Sequence, residues 1–123
     1  MAGTIVLDAI TDGTGNTVSG STVVKGSAKA WVNFNGTTNT IRSSFNVTST
    51  TKIGTGNYQI NLTTAMPNAN YAVIGMCQYQ NNAGQTILEG PSDATTSSFE
   101  VWSRANNNAV YDSDLINVSV FSS

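Results

Sequence analysis

The sequence contains no histidine and few charged residues, with five Lys or Arg and seven Asp or Glu among 123 residues. Without histidine the chain cannot assemble a Ser-His-Asp or Cys-His catalytic arrangement or a His-ligated zinc site. Acid–base chemistry would then depend on the few carboxylates. We therefore expect a protein that is not an enzyme and that holds no cofactor and no metal.

Other scarcities exclude further classes of protein. With a formal net charge of −2, the chain has no basic patch to neutralise a phosphate backbone, so nucleic acid is not an expected partner. No apolar run approaches the ~20 residues that span a bilayer, so we expect no membrane insertion, and no signal peptide is recognised after Met1. Cys77 is the single cysteine, which permits no intrachain disulfide and predicts a small buried side chain.

Uncharged polar residues take the place of the missing charges. Thr, Ser and Asn number 17, 14 and 15. These residues favour turns, Thr also suits strands, and all three are unfavourable inside helices. At 123 residues the chain matches one domain with one core. The composition therefore predicts a single all-β domain.

Alternation of apolar and polar residues predicts an antiparallel β-sandwich of about eight strands. The clearest predicted strands are 28–34, 41–48, 57–63, 71–79, 97–104 and 115–121. In 41–48, Ile41 and Phe45 are predicted to share one face, and 71–79 (YAVIGMCQY) is predicted as a central strand buried on both faces. Residues 1–27 are predicted as a short N-terminal shaft-like linker with short strands, and residues 28–123 as the sandwich domain. Within 1–27, DGTGN (12–16) predicts a tight turn, since it supplies one carboxylate where a calcium loop supplies several.

Tryptophan occurs on the polar side of two predicted strands. Trp31 lies opposite the aliphatic residues of AKAWVNFNG (28–36), and Trp102 lies on the side of Glu100 and Arg104 in SSFEVWSR (97–104). Three explanations are open. Each strand could be one residue out of register, which would reverse its faces. An indole could lie on the sheet under a Lys or Arg stem. Alternatively, a subunit or ligand covers that face, and for Trp31 we favour a subunit.

Long motifs in the first half resemble a known module. AKAWVNFNG (28–36), IRSSFNVTS (41–49) and IGTGNYQINLTTAMPNANYAVIG (53–75) are similar to the module at the C-termini of tailed-bacteriophage fibre proteins. The likeness is close over about residues 25–75. Beyond them only the order of a strand, a variable loop and a final strand is similar. The chain departs from the pattern at Asn57, where relatives often have Asp, and in the turn 36–39.

The resemblance implies a receptor-binding tip of a virion tail fibre that contacts the host cell surface, commonly as a homotrimer. Its partners would be the remainder of the fibre or baseplate and a host polysaccharide or outer-membrane receptor. The shared motif would hold the assembly together, with an interface at Lys29, Trp31 and Asn33. The variable second half would carry the receptor contacts, where aromatic and amide groups suit a glycan. The candidates are Gln80, Asn81, Asn82, Trp102, Arg104, Asn106, Asn107, Asn108 and Tyr111.

Two other functions are carried as alternatives. The chain could be a purely structural fibre cap or trimerisation domain without receptor contact. It could also be a depolymerase, since glycoside hydrolysis needs two carboxylates ~5–9.5 Å apart and Asp112 and Asp114 lie two residues apart near a strand start. The module brings no catalytic motif, so attachment through a trimeric tip is the function we expect.

Overall fold

The computed structural model describes residues 3–78 and 86–123, and in these residues the chain forms ten strands and one short helix. The prediction of an all-β antiparallel sandwich is confirmed. The elements in chain order are β1 (Ala9–Thr11), β2 (Thr17–Ser19), α1 (Gly20–Gly26), β3 (Ala30–Asn35), β4 (Thr40–Phe45), β5 (Val47–Gly54), β6 (Asn57–Leu62), β7 (Ala72–Gln78), β8 (Thr86–Ser92), β9 (Ser98–Ala105) and β10 (Leu115–Phe121).

Eight strands form two antiparallel sheets of four. One sheet has the order β4-β3-β10-β7 and contains Trp31; we call it the Trp31 sheet. The other has the order β5-β6-β9-β8 and contains Trp102; we call it the Trp102 sheet. In each sheet, one side chain of every two on the central strands points at the other sheet, as the alternation predicts.

The core lies between the two sheets and is well supplied with large apolar side chains. Phe34 and Tyr58 meet edge to face with ring centres 5.3 Å apart, and Tyr71 and Phe99 do so at 5.7 Å. The remaining buried apolar side chains are Ala30, Val32, Ile60, Leu62, Met66, Val101, Ile116, Val118 and Val120. A single copy of the chain therefore has an ordinary core, and neither tryptophan belongs to it.

The predicted strand 41–48 is two strands in different sheets. Asn46 adopts a left-handed backbone conformation with φ of 54°, which an L-residue other than Gly or Asn rarely tolerates. Its side-chain oxygen accepts a hydrogen bond from the Thr64 amide at 2.7 Å, and its Nδ2 donates to the Lys29 carbonyl at 3.0 Å. Asn46 thus forms a corner at which the chain leaves the Trp31 sheet and enters the Trp102 sheet.

The prediction that Ile41 and Phe45 share one face is also wrong. The register of β3 with β4 shifts between Asn33 and Phe34, which inserts one extra residue into β4. Such a bulge reverses the faces beyond it. Ile41 consequently packs against the core, whereas Phe45 lies beside Trp31 on the outer face.

Strand β7 is at an edge and not in the centre. It pairs with β10 alone, and its residues alternate between the core side and the outer side. Val73 and Cys77 pack against the core, whereas Ile74 and Met76 are exposed. The prediction of a central strand buried on both faces is wrong for a single chain. Both faces of β7 nevertheless carry apolar side chains. Cys77 is half-buried.

The N-terminal segment 3–27 contains a helix that the sequence did not predict. A hairpin of β1 and β2 is followed by α1, whose first turn is capped by Ser19 Oγ accepting from the Thr22 amide at 3.1 Å. Strand β2 therefore ends at Ser19, and residues 20–26 are helical where only short strands were predicted. No side chain in residues 3–27 is buried, so this segment contributes nothing to the sandwich core.

The registers define two opposite ends of the sandwich. At the near pole the N-terminal segment joins β3, the corner at Asn46 turns, and the chain ends at Ser123. At the far pole lie the turn 36–39, the turn 55–56 and the connection 105–114. Strand β7 ends and strand β8 begins at this far pole, because Gln78 pairs with Leu115 and Thr86 with Ala105.

Candidate functional site

An apolar band crosses the outer face of the Trp31 sheet. Trp31 lies between Phe45 on β4 and Ser119 on β10, and Ser119 lies beside Ile74 on β7. Met76 is the outward residue one row further along β7. The exposed fractions are 38% for Trp31, 54% for Phe45, 60% for Ile74 and 75% for Met76. Four large apolar side chains on one sheet face are unusual for a surface that only meets water.

Polar groups border this band. In the next row, Asn33 donates a short side-chain hydrogen bond to Asn117. Toward the far pole Arg42 donates to the Asp114 carbonyl at 2.7 Å and to the Asn33 side-chain oxygen at 3.4 Å. Toward the near pole the Lys29 ammonium donates to the Val24 carbonyl of α1. An apolar centre with a polar margin is the usual organisation of a protein–protein interface.

Of the three predicted interface residues, the structure brings Trp31 and Asn33 to the same outer face. Lys29 lies at its margin and is directed toward the N-terminal segment. Sequence analysis missed Phe45, because the bulge cannot be read from the sequence. It also missed Ile74 and Met76, whose signal was the apolar character of 71–79 on both sides of the strand.

Trp102 lies on the outer face of the Trp102 sheet and has a different environment. The Arg104 guanidinium carbon is 4.8 Å from the centre of the Trp102 ring. The backbone partner of Trp102 is Asn57, whose buried amide donates to Glu100 Oε2 at 3.0 Å. The second explanation, an indole under an Arg side chain, therefore applies to Trp102. For Trp31 the register was predicted correctly, and no Lys or Arg lies over its ring among the described contacts.

The far-pole turn 105–109 continues from Arg104. Arg104 Nη1 donates to the Asn108 carbonyl at 3.4 Å, and Asn108 adopts a left-handed backbone with φ of 66°. Asn107 Oδ1 accepts from the Ala109 amide at 3.1 Å, and Asn106 is exposed. Trp102, Arg104 and this turn are thus brought together at one corner of the far pole.

The other receptor candidates are divided. Tyr111 is half-buried on the connection between β9 and β10, where its amide donates to the Ser103 carbonyl at 3.1 Å. Gln80, Asn81 and Asn82 lie outside the described residues.

Asp112 links β5, β6 and the turn between them to the connection 105–114 at the far pole. Its Oδ1 accepts hydrogen bonds from the Tyr58 hydroxyl at 2.8 Å and the Gly56 amide at 2.9 Å, and its Oδ2 pairs with the Lys52 ammonium at 2.6 Å. Partial burial alone would raise the pKa of Asp112, but hydrogen bonds from Lys52, the Gly56 amide and Tyr58 outweigh it and hold this pKa below its ordinary value. Burial, followed by the hydrogen bond to Asp112, raises the pKa of Tyr58 far above its ordinary range.

The two carboxylates considered for hydrolysis both serve as hydrogen-bond acceptors in this network. Asp114 Oδ1 accepts from the Thr37 hydroxyl at 2.9 Å, on the turn that follows β3. Asp112 is occupied by Lys52, Gly56 and Tyr58, as above. Through these contacts the two carboxylates link neighbouring turns of the far pole.

The turn 12–16 forms as predicted. The Asp12 carboxylate accepts hydrogen bonds from Thr14 and Asn16, through both the backbone amide and the side chain of each residue. The Asn16 and Thr14 side chains, with their amides, hold the pKa of Asp12 far below its ordinary value. In residues 3–78 and 86–123 no three His, Cys, Asp or Glu side chains cluster as metal ligands would.

A groove opens at the near pole beside the apolar band. It encloses about 490 Å³. Phe45 forms part of its wall, and Met66 is the buried apolar residue that lines it. The other lining residues are Lys29, Asn46, Thr63, Thr64, Ala65, Pro67, Ser122 and Ser123. The exposed surface of the groove is mostly apolar, although six of its ten lining residues carry polar side chains. Such a surface suits an apolar side chain from another molecule.

Comparison with known proteins adds no assignment: no protein-family model, curated protein or solved structure matches the chain. Within the described residues, no helix has the length and apolar character required to cross a bilayer.

Proposed function

We propose that this chain is a tip domain of a bacteriophage tail fibre, in the virion, where it attaches the particle to a receptor on the host cell surface. In this proposal three copies assemble through the Trp31 sheet, and the far pole faces the host. The sequence motifs 28–36, 41–49 and 53–75 suggest the class of protein. The observation that carries the proposal is the exposed apolar band of Trp31, Phe45, Ile74 and Met76 on a chain whose core is otherwise closed.

The position of the candidate contact residues supports the same assignment. Trp102, Arg104 and the turn 105–109 lie at the far pole, whereas the N-terminal segment joins the sandwich at the near pole. An attachment domain carried on a fibre requires this polarity, because the receptor must be met at the end away from the shaft. Amide groups and a partly exposed indole suit a polysaccharide, and three copies would raise a weak single-site affinity through effective concentration.

The test is adsorption of the fluorescently labelled oligomer to a panel of bacterial strains. We expect staining of permissive strains, and we expect Trp102→Ala and Arg104→Ala each to reduce it at least about tenfold, as loss of a central contact does. Thr96→Ala, an exposed near-pole residue outside the groove, is the matched control and should stain as the parent does. An intact trimer that stains no strain would favour the structural-cap alternative.

A further inference from the structure

The two edges of the Trp31 sheet are both apolar, and the groove beside β4 is the larger hollow, about 490 Å³ against about 280 Å³ for the one that Ile74 and Met76 line at the β7 edge. Edge strand β4 presents Phe45 beside the near-pole groove, which is concave. Edge strand β7 presents Ile74 and Met76, which are among the most exposed apolar side chains of the sandwich. A sheet edge with exposed apolar side chains is prone to associate unless something covers it.

We propose that neighbouring copies of this chain contact one another through these unlike edges: the β7 edge of one copy, with Ile74 and Met76, seats beside Phe45 at the near-pole groove of the next. This inference rests on the proposed trimer and specifies its symmetry and contact. Each copy would use one edge to receive and the other to insert, and in the proposed trimer three such contacts close into a ring around the fibre axis.

A contact of unlike edges is favoured because the exposed side chains of the β7 edge are complementary to the near-pole groove. A two-fold contact places one patch against its own copy, so groove would face groove and an unfilled space would remain. Matching the exposed Ile74 and Met76 to the groove fills that space, and methionine adapts readily to an irregular surface. The apolar band then lies across the inner face of the ring.

The charge of the face favours a second copy as the occupant. Its two central rows hold Phe45, Trp31, Ser119, Ile74, Ser43, Asn33, Asn117 and Met76, and none of these is charged. Arg42 and Lys29 lie at the margins of the face and are hydrogen-bonded within their own copy, so the two central rows can approach an identical copy without like-charge repulsion. The hydrogen bond between Asn33 Nδ2 and Asn117 Oδ1 lies within one copy, so covering this face leaves those two atoms paired.

The sheet face alone has less area than a standard interface between proteins. Four strands spaced ~4.8 Å apart, each about 20 Å long, give a face of only about 300–400 Å², which is smaller than the ~800 Å² per partner of a standard interface. In the proposed contact the groove adds area to the face. The N-terminal segment carries further exposed apolar side chains, namely Ile5, Val6, Leu7, Ile10, Val18, Val23 and Val24.

Disulfide trapping tests the contact in the complete chain, with Cys77→Ser in the background. Phe45 and Ile74 stand on opposite edges of one sheet, about 14 Å apart at ordinary strand spacing, too far for a disulfide within one copy. We therefore expect Phe45→Cys/Ile74→Cys to yield covalent dimers and trimers on mild oxidation, while Phe45→Cys alone and Ile74→Cys alone remain uncrosslinked. Phe45→Cys/Gln59→Cys, with its second cysteine on the outer face of the Trp102 sheet, is the matched control and should not crosslink.

Two results would overturn the inference. Crosslinking of either single variant would show a two-fold contact, and an intact trimer whose double variant does not crosslink would place the interface elsewhere. The attachment role fails separately: a crosslinked trimer that adsorbs to no bacterial strain leaves this contact in place and removes the proposed function.

Discussion

At the scale of single residues, Asp112 is a polar group that joins several elements of the far pole. Its carboxylate accepts hydrogen bonds from Tyr58 on β6, from Gly56 in the turn before β6 and from Lys52 on β5. We expect Asp112→Ala to lower the free energy of unfolding by about 2 kcal/mol, because it leaves the buried Tyr58 hydroxyl unpaired. Urea denaturation measures this change, and Asp114→Ala is the neighbouring control with a smaller expected loss.

The lowered pKa of Asp112 also predicts a pH dependence. A carboxyl whose pKa is lower in the folded chain contributes its full stabilisation above its unfolded pKa, near 4, and loses it as the pH falls through the folded pKa. Melting temperatures from pH 6 to pH 2 should therefore fall more steeply for the parent than for Asp112→Asn. Equal slopes in the two proteins would contradict the role given to this carboxylate.

Gly56 is a residue whose identity the backbone dictates. Its φ is 68°, and a Cβ added there would lie 2.7 Å from the Ser103 carbonyl oxygen. We expect Gly56→Ala to cost about 1–3 kcal/mol of stability. Gly54→Ala is a matched control two residues away, since no heavy atom lies within 4 Å of its added Cβ. Thermal denaturation of both variants makes the comparison, and similar melting temperatures would contradict the prediction.

At the scale of elements, the sequence predicted strands wherever alternation continued undisturbed. Strands β3, β6, β9 and β10 each bury every second residue, and their predicted ranges agree with the structure to within two residues. The sequence-based predictions were wrong where a single residue changes the pattern. The left-handed Asn46 divides one predicted strand in two, and the bulge in β4 moves Phe45 to the outer face. Neither event leaves a signature in composition or period.

The N-terminal segment is an element that cannot be stable alone. A two-stranded hairpin and a seven-residue helix are each marginal in water, and no side chain in residues 3–27 is buried. We expect deletion of residues 1–27 to leave the circular dichroism of the sandwich unchanged. Self-association should weaken at least about tenfold, because burying one aliphatic side chain contributes roughly 1.5 kcal/mol or more. Sedimentation velocity measures the association, and an unchanged dissociation constant would contradict the prediction.

At the scale of the whole molecule, the two tryptophans allow the proposed assembly and the proposed attachment to be tested separately. Trp31 lies in an apolar band without a cation over its ring, whereas Trp102 is stacked against Arg104. We expect light scattering at micromolar concentration to give the mass of a trimer for the parent and for Trp102→Ala. For Trp31→Ala we expect a smaller mass, since truncating a central aromatic costs about 2 kcal/mol or more at an interface. A monomeric parent protein would remove the basis of this expectation.

The candidate surfaces were only partly predictable from the sequence. Trp31 and Asn33 were assigned correctly to one face, because the period of two determines which residues of β3 lie together. Their neighbours Ile74 and Met76 are more than forty positions away in the chain. Only the strand order of the Trp31 sheet places them beside Ser119 and Asn117. Long-range pairing of this kind cannot be read from local patterns.

The near pole holds both the junction at Lys29, whose amide donates to the Val120 carbonyl at 2.7 Å, and Ser123. A peptide handle appended after Ser123 would accordingly emerge next to the N-terminal segment. Beads or sensor chips that capture this handle would display Trp102 and Arg104 outward, in the orientation required for measuring the proposed adhesion.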